Sequence, residues 1–240
     1  MKIAQLAGVP IRLHWSFTSL AAAYGLYALF TSGVGGLIDA VLLAVVLFGS
    51  VVLHELGHAL AARACGIQTR DITLYPFGGV AAIVRMPERP IHELIIAVAG
   101  PLVNFVLFSA FLYAYLVTGI GFLAIIALVN VIMGIFNLIP AFPMDGGRVL
   151  RAVLASRLGW YRGSRIAITV GTVFAWGFVI VGIVAWWPSL LLVGGFLHFA
   201  LAAEKRRLKF MTLHDIRTGR QRAASAKQPT YAYVPRWRVR

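Results

Sequence analysis

The sequence predicts an all-α polytopic membrane protein with six transmembrane helices and a small membrane-associated β-hairpin after the second helix. Hydrophobic residues occupy 60% of the 240 positions and charged residues only 12%, whereas soluble domains carry about 25% charged residues. The mean hydropathy is accordingly high, at +0.84. The apolar residues also fall in separate long runs, which is typical of a multi-pass integral membrane protein.

Six apolar stretches have about the length that a spanning helix needs, roughly 20 residues. Their approximate ranges are 13–31, 39–64, 92–117, 121–139, 166–186 and 189–203. The last stretch is short, and we expect it to extend into its flank. The segment WWPS between the fifth and sixth stretches suits a tight turn at the membrane interface.

The basic residues predict the orientation of these spans. The links 32–38, 118–120 and 187–188 contain no Lys or Arg, and all 22 basic residues fall on the other side. Because short cytoplasmic segments are enriched in Lys and Arg, we expect both termini to be cytoplasmic. On this topology the second span runs inward from Asp39.

Two further segments are predicted not to span the membrane. Residues 69–84 are rich in β-branched and aromatic residues around a Pro-Phe-Gly-Gly turn, which predicts a hairpin. Residues 147–158 place apolar side chains on one helical face, with Arg148 and Arg151 outside it. This pattern predicts a short helix at the cytoplasmic interface.

The charge distribution divides the chain into a membrane core, 1–203, and a basic tail, 204–240. The tail holds eleven Lys and Arg residues but only two acids. Its Gln, Ser and Pro content predicts a disordered cytoplasmic segment. Basic and aromatic residues beside a bilayer suit anionic lipid. Nucleic-acid binding has a similar footprint, but the membrane tether favours lipid, and no nucleic-acid partner is expected.

The stretch HELGH, at 54–58, puts three ionisable residues inside the second predicted span. Such residues are costly within a bilayer and usually functional. His54 and His58 are four residues apart and share a helical face, so both can bind one Zn²⁺. Glu55 can then take a proton from a zinc-bound water. The alternative is a hydrogen-bonded packing cluster, which would need all three costly residues to coincide.

A hydrolytic zinc usually has three protein ligands, and Asp145 is a candidate for the third. It lies in NLIPAFPMDGGR, where prolines interrupt the fourth span, and it is the only acid between Glu93 and Glu204. The alternative role is a loop aspartate that caps the following helix. His198, in the sixth span at a similar estimated depth, is a competing ligand, although polar packing explains it better.

These motifs resemble the site-2 protease family of intramembrane zinc metalloproteases. The resemblance covers about residues 10–203, in a minimal prokaryotic form without PDZ or CBS domains. It is carried by four motifs in order along the chain: HELGHA at 54–59, PFGGVA at 76–81, AGPLVN at 99–104 and NLIPAFPMDGGR at 137–148.

The resemblance implies hydrolysis of a transmembrane segment of a membrane-protein substrate, in the cell membrane of a prokaryote. It implies one Zn²⁺ per chain, bound by His54, His58 and Asp145, with Glu55 as the general base. It also implies that Asn137 positions the substrate backbone and that the hairpin offers a strand edge. Within that hairpin the expected substrate-binding residues are Phe77, Gly78 and Gly79. The role of Asn104 in its motif stays open.

Two other classes of function use the same residues. A membrane carrier of metal ions would use the histidines and Asp145, but it would leave Glu55 without a task. An inactive scaffold that binds helices would not need the intact HExxH sequence.

Overall fold

The computed structural model describes residues 2–75, 78–83, 87 and 89–217. Its elements, in chain order, are β1 Lys2–Leu6, β2 Val9–Leu13, α1 Trp15–Ala64, β3 Thr69–Tyr75, β4 Gly78–Ile83, α2 Pro90–Thr118, α3 Gly121–Asn137, α4 Asp145–Leu158, α5 Trp160–Val184 and α6 Pro188–Arg217. The protein is therefore mostly helical, as predicted, with a small sheet.

Three helices among the described residues are long and apolar enough to cross a membrane: α1, α2 and α5. They leave many large apolar side chains exposed, including Phe30 at 85% and Val184 at 76%. Apolar surface on this scale is unfavourable in water and is typical of a lipid-facing surface. The shorter apolar helix α3 has 17 residues.

α1 consists of two helical segments that meet at Gly33. This glycine has φ 68° and ψ −159°, far from helical values, in a region that is accessible almost only to glycine. The break lies within the link predicted at 32–38. At the other end of α1, Cys65 follows the last helical residue and the chain turns into β3.

The sheet is larger than the single hairpin that the sequence indicated. β3 and β4 pair antiparallel over the predicted hairpin segment. The N-terminal strands β1 and β2 form a second antiparallel hairpin, and β2 pairs in parallel with β3. The sheet order is β1-β2-β3-β4. Residues 2–13 alternate polar and apolar side chains too briefly to have predicted this second hairpin.

The chain divides into two compact units. The first contains Met1–Val84 and Ala99–Ile135, and the second contains Arg85–Val98 and Phe136–Arg240. In the first unit Ile11, Ile72 and Leu74 form a buried cluster with Ala59 of α1. This packing places one face of the sheet against α1, close to the HELGH segment.

In the second unit, the core contains residues of α5 and α6, among them Ile168, Leu197, Leu201 and Leu208. Leu208 lies in the segment predicted as a disordered tail, but α6 continues to Arg217. Residues 204–217 are therefore helical, where the sequence predicted disorder. The many basic residues of this segment lowered its hydropathy, although Leu208 continues the buried face of the helix. Residues 218–240, the rest of the predicted tail, lie outside the described part of the chain.

The short helix α4 also differs from its prediction. Arg151 was expected outside the apolar face, but its side chain is only 1% exposed. It donates hydrogen bonds to Glu93 and, over 2.7 Å, to Glu204. Its guanidinium also lies 4.9 Å from the ring centroid of Phe142. The carboxylates that compensate this arginine are more than fifty residues away in sequence, so helical periodicity could not identify it as buried.

Candidate active site

His54 and His58 lie near the C-terminal end of α1 and are 4% and 3% exposed. Their Nε2 atoms are 3.0 Å apart, and their rings are nearly perpendicular, with centroids 4.7 Å apart. The spacing of four residues produces this geometry, since it places both side chains on one helical face. The pair therefore directs two nitrogen donors toward one point, as a bidentate metal site requires.

Gly100 of α2 lies directly against the two imidazoles. A Cβ atom at this position would come within 2.7 Å of His54 Nε2 and closer still to His58 Nε2. No side chain can therefore be tolerated at Gly100 without displacing the donor atoms. The sequence contained this signal in AGPLVN, where a glycine stands inside an apolar helix.

The orientation of His54 is fixed by two asparagines buried in the first unit. Asn130 Nδ2 donates to the main-chain oxygen of Ile126, over 2.9 Å, and to Ser50 Oγ. The amide nitrogen of Asn130 thus faces acceptors, and its Oδ1 accepts from Asn104 Nδ2 over 2.9 Å. Asn104 Oδ1 is consequently turned toward His54 Nδ1, at 2.5 Å.

This relay determines which nitrogen of His54 carries the hydrogen. A side-chain amide oxygen only accepts hydrogen bonds, so His54 Nδ1 must donate. In the neutral imidazole Nε2 then has the lone pair, which is the form that ligates a metal. Asn104 is therefore the outer partner that metal-bound histidines usually have. Asn130 and Ser50 were missed at the sequence level, although an amide within the apolar run 121–137 is itself a signal.

Glu55 lies on the same helical turn and contacts the hairpin. Its Oε2 accepts a hydrogen bond from the backbone N–H of Ala81, at 3.1 Å. A Cβ atom at Gly79 would lie 2.5 Å from Glu55 Cγ. The close approach of β4 therefore depends on the absence of a side chain at Gly79, and it holds the carboxylate in one orientation.

In the second unit, Asp145 is the first residue of α4 and is 6% exposed. Arg148 Nη1 lies 3.6 Å from its Oδ1. The start of α4 packs tightly against the segment that precedes it. A Cβ atom at Gly147 would lie 2.7 Å from the backbone nitrogen of Phe142. Asn137, half-buried, ends α3.

His198 has a different environment in the middle of α6. Its Nδ1 lies 2.9 Å from the main-chain oxygen of Gly194, and its ring packs edge-on against Trp176 at 4.8 Å between centroids. Its Nε2 is buried and has no hydrogen-bond partner among the described residues, so the preference for polar packing over metal ligation stays a prediction.

The predicted site residues thus fall into three groups. His54, Glu55, His58 and Gly79 lie together in the first unit. Gly78, the first residue of β4, belongs to the same unit. Asn137 and Asp145 lie in the second unit. Phe77 lies outside the described residues.

The family model of peptidase family M50 matches residues 42–121 and 117–178 of the chain. The chain belongs to this family. A zinc metalloprotease of Methanocaldococcus jannaschii is 36% identical over 219 residues, which cover 89% of this chain and 62% of the relative. The solved structure of a site-2 protease from that organism has a TM-score of 0.64 and 34% identity, and the match covers 85% of this chain and 94% of that one.

A more distant M50 relative is stage IV sporulation protein FB of Bacillus subtilis, 29% identical over 127 residues. That match covers 52% of this chain and 44% of the relative. The chain spans about three fifths or less of the length of these curated relatives. Family membership confirms the resemblance that the four motifs predicted.

Zinc is the cofactor of this M50 chain, and the site residues described above fit it. Two converging imidazoles are among the ligands that Zn²⁺ prefers. The Asn104 contact selects the unprotonated Nε2 of His54, and Gly100 leaves space beside both donor atoms.

Proposed function

We propose that the chain is an intramembrane zinc endopeptidase that cleaves a transmembrane segment of a membrane-protein substrate. The observation that carries this proposal is the pair of buried imidazoles with the Glu55 carboxylate beside them, on a helix whose other faces expose apolar side chains. A hydrolytic centre placed in such a helix would act on peptide bonds within or near the bilayer.

In this proposal one Zn²⁺ is bound by His54, His58 and Asp145. Asp145 is buried and acidic, and it follows a segment whose prolines and glycines interrupt the helix. A carboxylate with two neutral imidazoles leaves a net charge of +1 on the site. Zinc, when bound, supplies a Lewis acid that polarises a peptide carbonyl and makes water more acidic.

Glu55 acts as the general base and is not a ligand. Its carboxylate accepts a proton from the attacking water and can return it to the departing amine. The hydrogen bond from Ala81 N–H fixes the direction of this carboxylate. A base has to be held within hydrogen-bond distance of the proton that it takes, and β4 provides this constraint.

The substrate binds in extended form along β4. Within the described sheet β4 pairs only with β3, so one edge can receive another strand. Strand addition supplies hydrogen bonds to an unwound backbone, which otherwise lacks partners in lipid. Gly78 and Gly79 belong to this strand and contact the substrate, together with Phe77, which the sequence motif adds to them. Asn137 positions the substrate backbone.

The full topology also belongs to this proposal. Six spans place both termini in the cytoplasm of a prokaryotic cell, with the hairpin associated with the membrane. The basic C-terminal tail contacts anionic lipid at the inner leaflet. This arrangement puts the zinc site in the cytoplasmic half of the bilayer.

Replacing Glu55 with Gln tests the proposed reaction. The amide keeps the shape of the side chain but cannot accept a proton, so purified Glu55→Gln protein should retain zinc and lose cleavage of a model transmembrane segment. If the protein is instead a metal carrier, the wild type should also bind zinc but not cleave the substrate. An inactive scaffold predicts binding without hydrolysis in both proteins. Near-normal turnover by the variant would overturn the assignment of Glu55.

A further inference from the structure

A cavity of about 390 Å³ lies between α5 and α6, in the first turns of α5 and the second half of α6. Ile168 and Leu208, both almost completely buried, form its apolar wall. Three cations stand around it: Arg165, Lys205 and Lys209. The cavity therefore combines an apolar interior with a strongly basic rim, and it has no part in the proposed hydrolysis.

None of these three cations forms an ion pair with an acid whose side chain the structure describes. The nearest acid along α6, Glu204, is already bound, since its Oε1 accepts from Arg151 and its Oε2 lies 3.8 Å from Arg207. The two Thr hydroxyls at the cavity donate to their own helices. The N–H groups of the three cations and the hydroxyl of Tyr161 are consequently donors that face a ligand, and three neighbouring positive charges favour an anion.

The position of the cavity along α5 matches the headgroup level of a bilayer. α5 begins with Trp160 and Tyr161, and Trp186 and Trp187 follow its other end. Aromatic residues mark the two interfaces of a membrane. From Arg165 to Trp186 the helix axis covers roughly 31 Å at 1.5 Å per residue, about the thickness of the hydrocarbon core. Arg165 thus lies where lipid phosphates lie.

We infer that this cavity binds one anionic phospholipid. Its phosphate is held by Arg165, Lys205 and Lys209, and an acyl chain leaves the site past Tyr161, which is 45% exposed. The position at the headgroup level selects a lipid over a soluble anion, because an acyl chain that leaves the site there enters the hydrocarbon layer. This site is formed by α5 and by the helical first part of the basic segment 204–240, so it rests on and deepens the lipid contact proposed for that segment.

Native mass spectrometry of detergent-released protein tests the site. The test variant replaces Arg165, Lys205 and Lys209 with Gln. The control variant replaces three other exposed cations of α4–α6 that do not line the cavity: Arg157, Arg162 and Arg206. Both variants lose three charges, so a general electrostatic effect would change them equally. The probes are phosphatidylglycerol, phosphatidylcholine and inorganic phosphate alone.

The wild type and the control should each retain one phosphatidylglycerol adduct, and the affinity of the test variant should fall on the order of 100-fold at about 1 kcal/mol per cation. Phosphatidylcholine should not replace it. Equal losses in both variants would overturn the inference, as would displacement of the lipid by excess inorganic phosphate. Zinc content and unfolding temperature should match in all three proteins, and a test variant that fails to fold is replaced by the single Lys209→Gln variant. Lipid retention is measured without substrate, so it stands or falls separately from the protease assignment.

Discussion

Asn104 Oδ1 lies 2.5 Å from His54 Nδ1, on the side of the imidazole opposite the atom that faces His58. Because the amide oxygen can only accept, this contact keeps the hydrogen on Nδ1 and the lone pair on Nε2. It also holds the ring in the plane that points Nε2 toward its partner. The amide therefore selects the state of the histidine before any metal arrives.

We predict that Asn104→Ala weakens zinc binding by about 10- to 100-fold, the usual cost of losing such an outer partner. Competition with a calibrated chelator measures the effect, and ¹⁵N chemical shifts of the apoprotein report the imidazole tautomer. Ser109→Ala is the matched control, since Ser109 lies on the same helix and bonds only to its own backbone. Unchanged affinity in Asn104→Ala would show that the amide does not orient the ligand.

Gly100→Ala should abolish zinc binding almost completely. The added methyl group would overlap both Nε2 atoms, which cannot move without leaving the point where they converge. Gly49→Ala, also inside a helix but with no atom within 4 Å of the new Cβ, should keep its zinc and gain up to about 1 kcal/mol of helix stability. Metal analysis of the two purified proteins measures this difference. Stoichiometric zinc in Gly100→Ala would show that zinc binding does not depend on the close approach of Gly100 to the two imidazoles.

The sequence predicted that His54, Glu55 and His58 lie close together because their arrangement is local. His54, Glu55 and His58 are spaced by the helical repeat, and the hydropathy of the surrounding run places them in a membrane helix. The sequence also indicated a glycine-rich hairpin close to them. Each of these features depends on residues within a few positions of one another.

Features that depend on distant residues were the ones the sequence could not show. The Asn104–Asn130 relay joins two helices, and Arg151 finds Glu93 and Glu204 only in the folded chain. The parallel pairing of β2 with β3 likewise joins residues that are 61 positions apart in sequence. Sequence periodicity predicts which face of a helix or strand is buried. It does not predict which polar side chain of another element will pair with a buried polar residue on that face.

The Arg151 cluster should contribute strongly to stability. Arg151→Met leaves the Glu93 carboxylate, only 4% exposed, without its cation, which typically costs about 3–5 kcal/mol. Thermal unfolding in detergent should show a large decrease in melting temperature. Arg157→Met, on an exposed position of the same helix, should change the free energy of unfolding by only about 0.5 kcal/mol.

The double variant Glu93→Leu, Arg151→Met separates a requirement for charge balance from a requirement for the arginine itself. Replacing both members of a buried ion pair by apolar residues is often neutral or stabilising. The double variant should therefore recover much of the stability that Arg151→Met loses. A double variant less stable than either single variant would contradict this explanation.

Asp145, and not His198, should be the third zinc ligand. Asp145 stands at the start of α4, after a segment with Pro140 and Pro143 in which the backbone is free to aim a carboxylate. His198 lies inside α6, where the Gly194 carbonyl and the ring of Trp176 already fix its imidazole. Charge favours the same choice, since a third imidazole would leave Asp145 as a buried acid without zinc beside it, and such an acid is costly in a membrane.

We therefore expect Asp145→Ala to lose both zinc and cleavage, and His198→Ala to retain most of its zinc. Asp145→Asn sharpens the comparison, because the amide keeps the volume and hydrogen bonding of the side chain but lacks the charge that a zinc ligand supplies. If Asp145 acts only as a helix residue, the Asn variant should keep its metal, whereas a ligand should lose it. Zinc content measured on the three purified variants at equal folded fraction decides the assignment, and depletion confined to His198→Ala would reverse it.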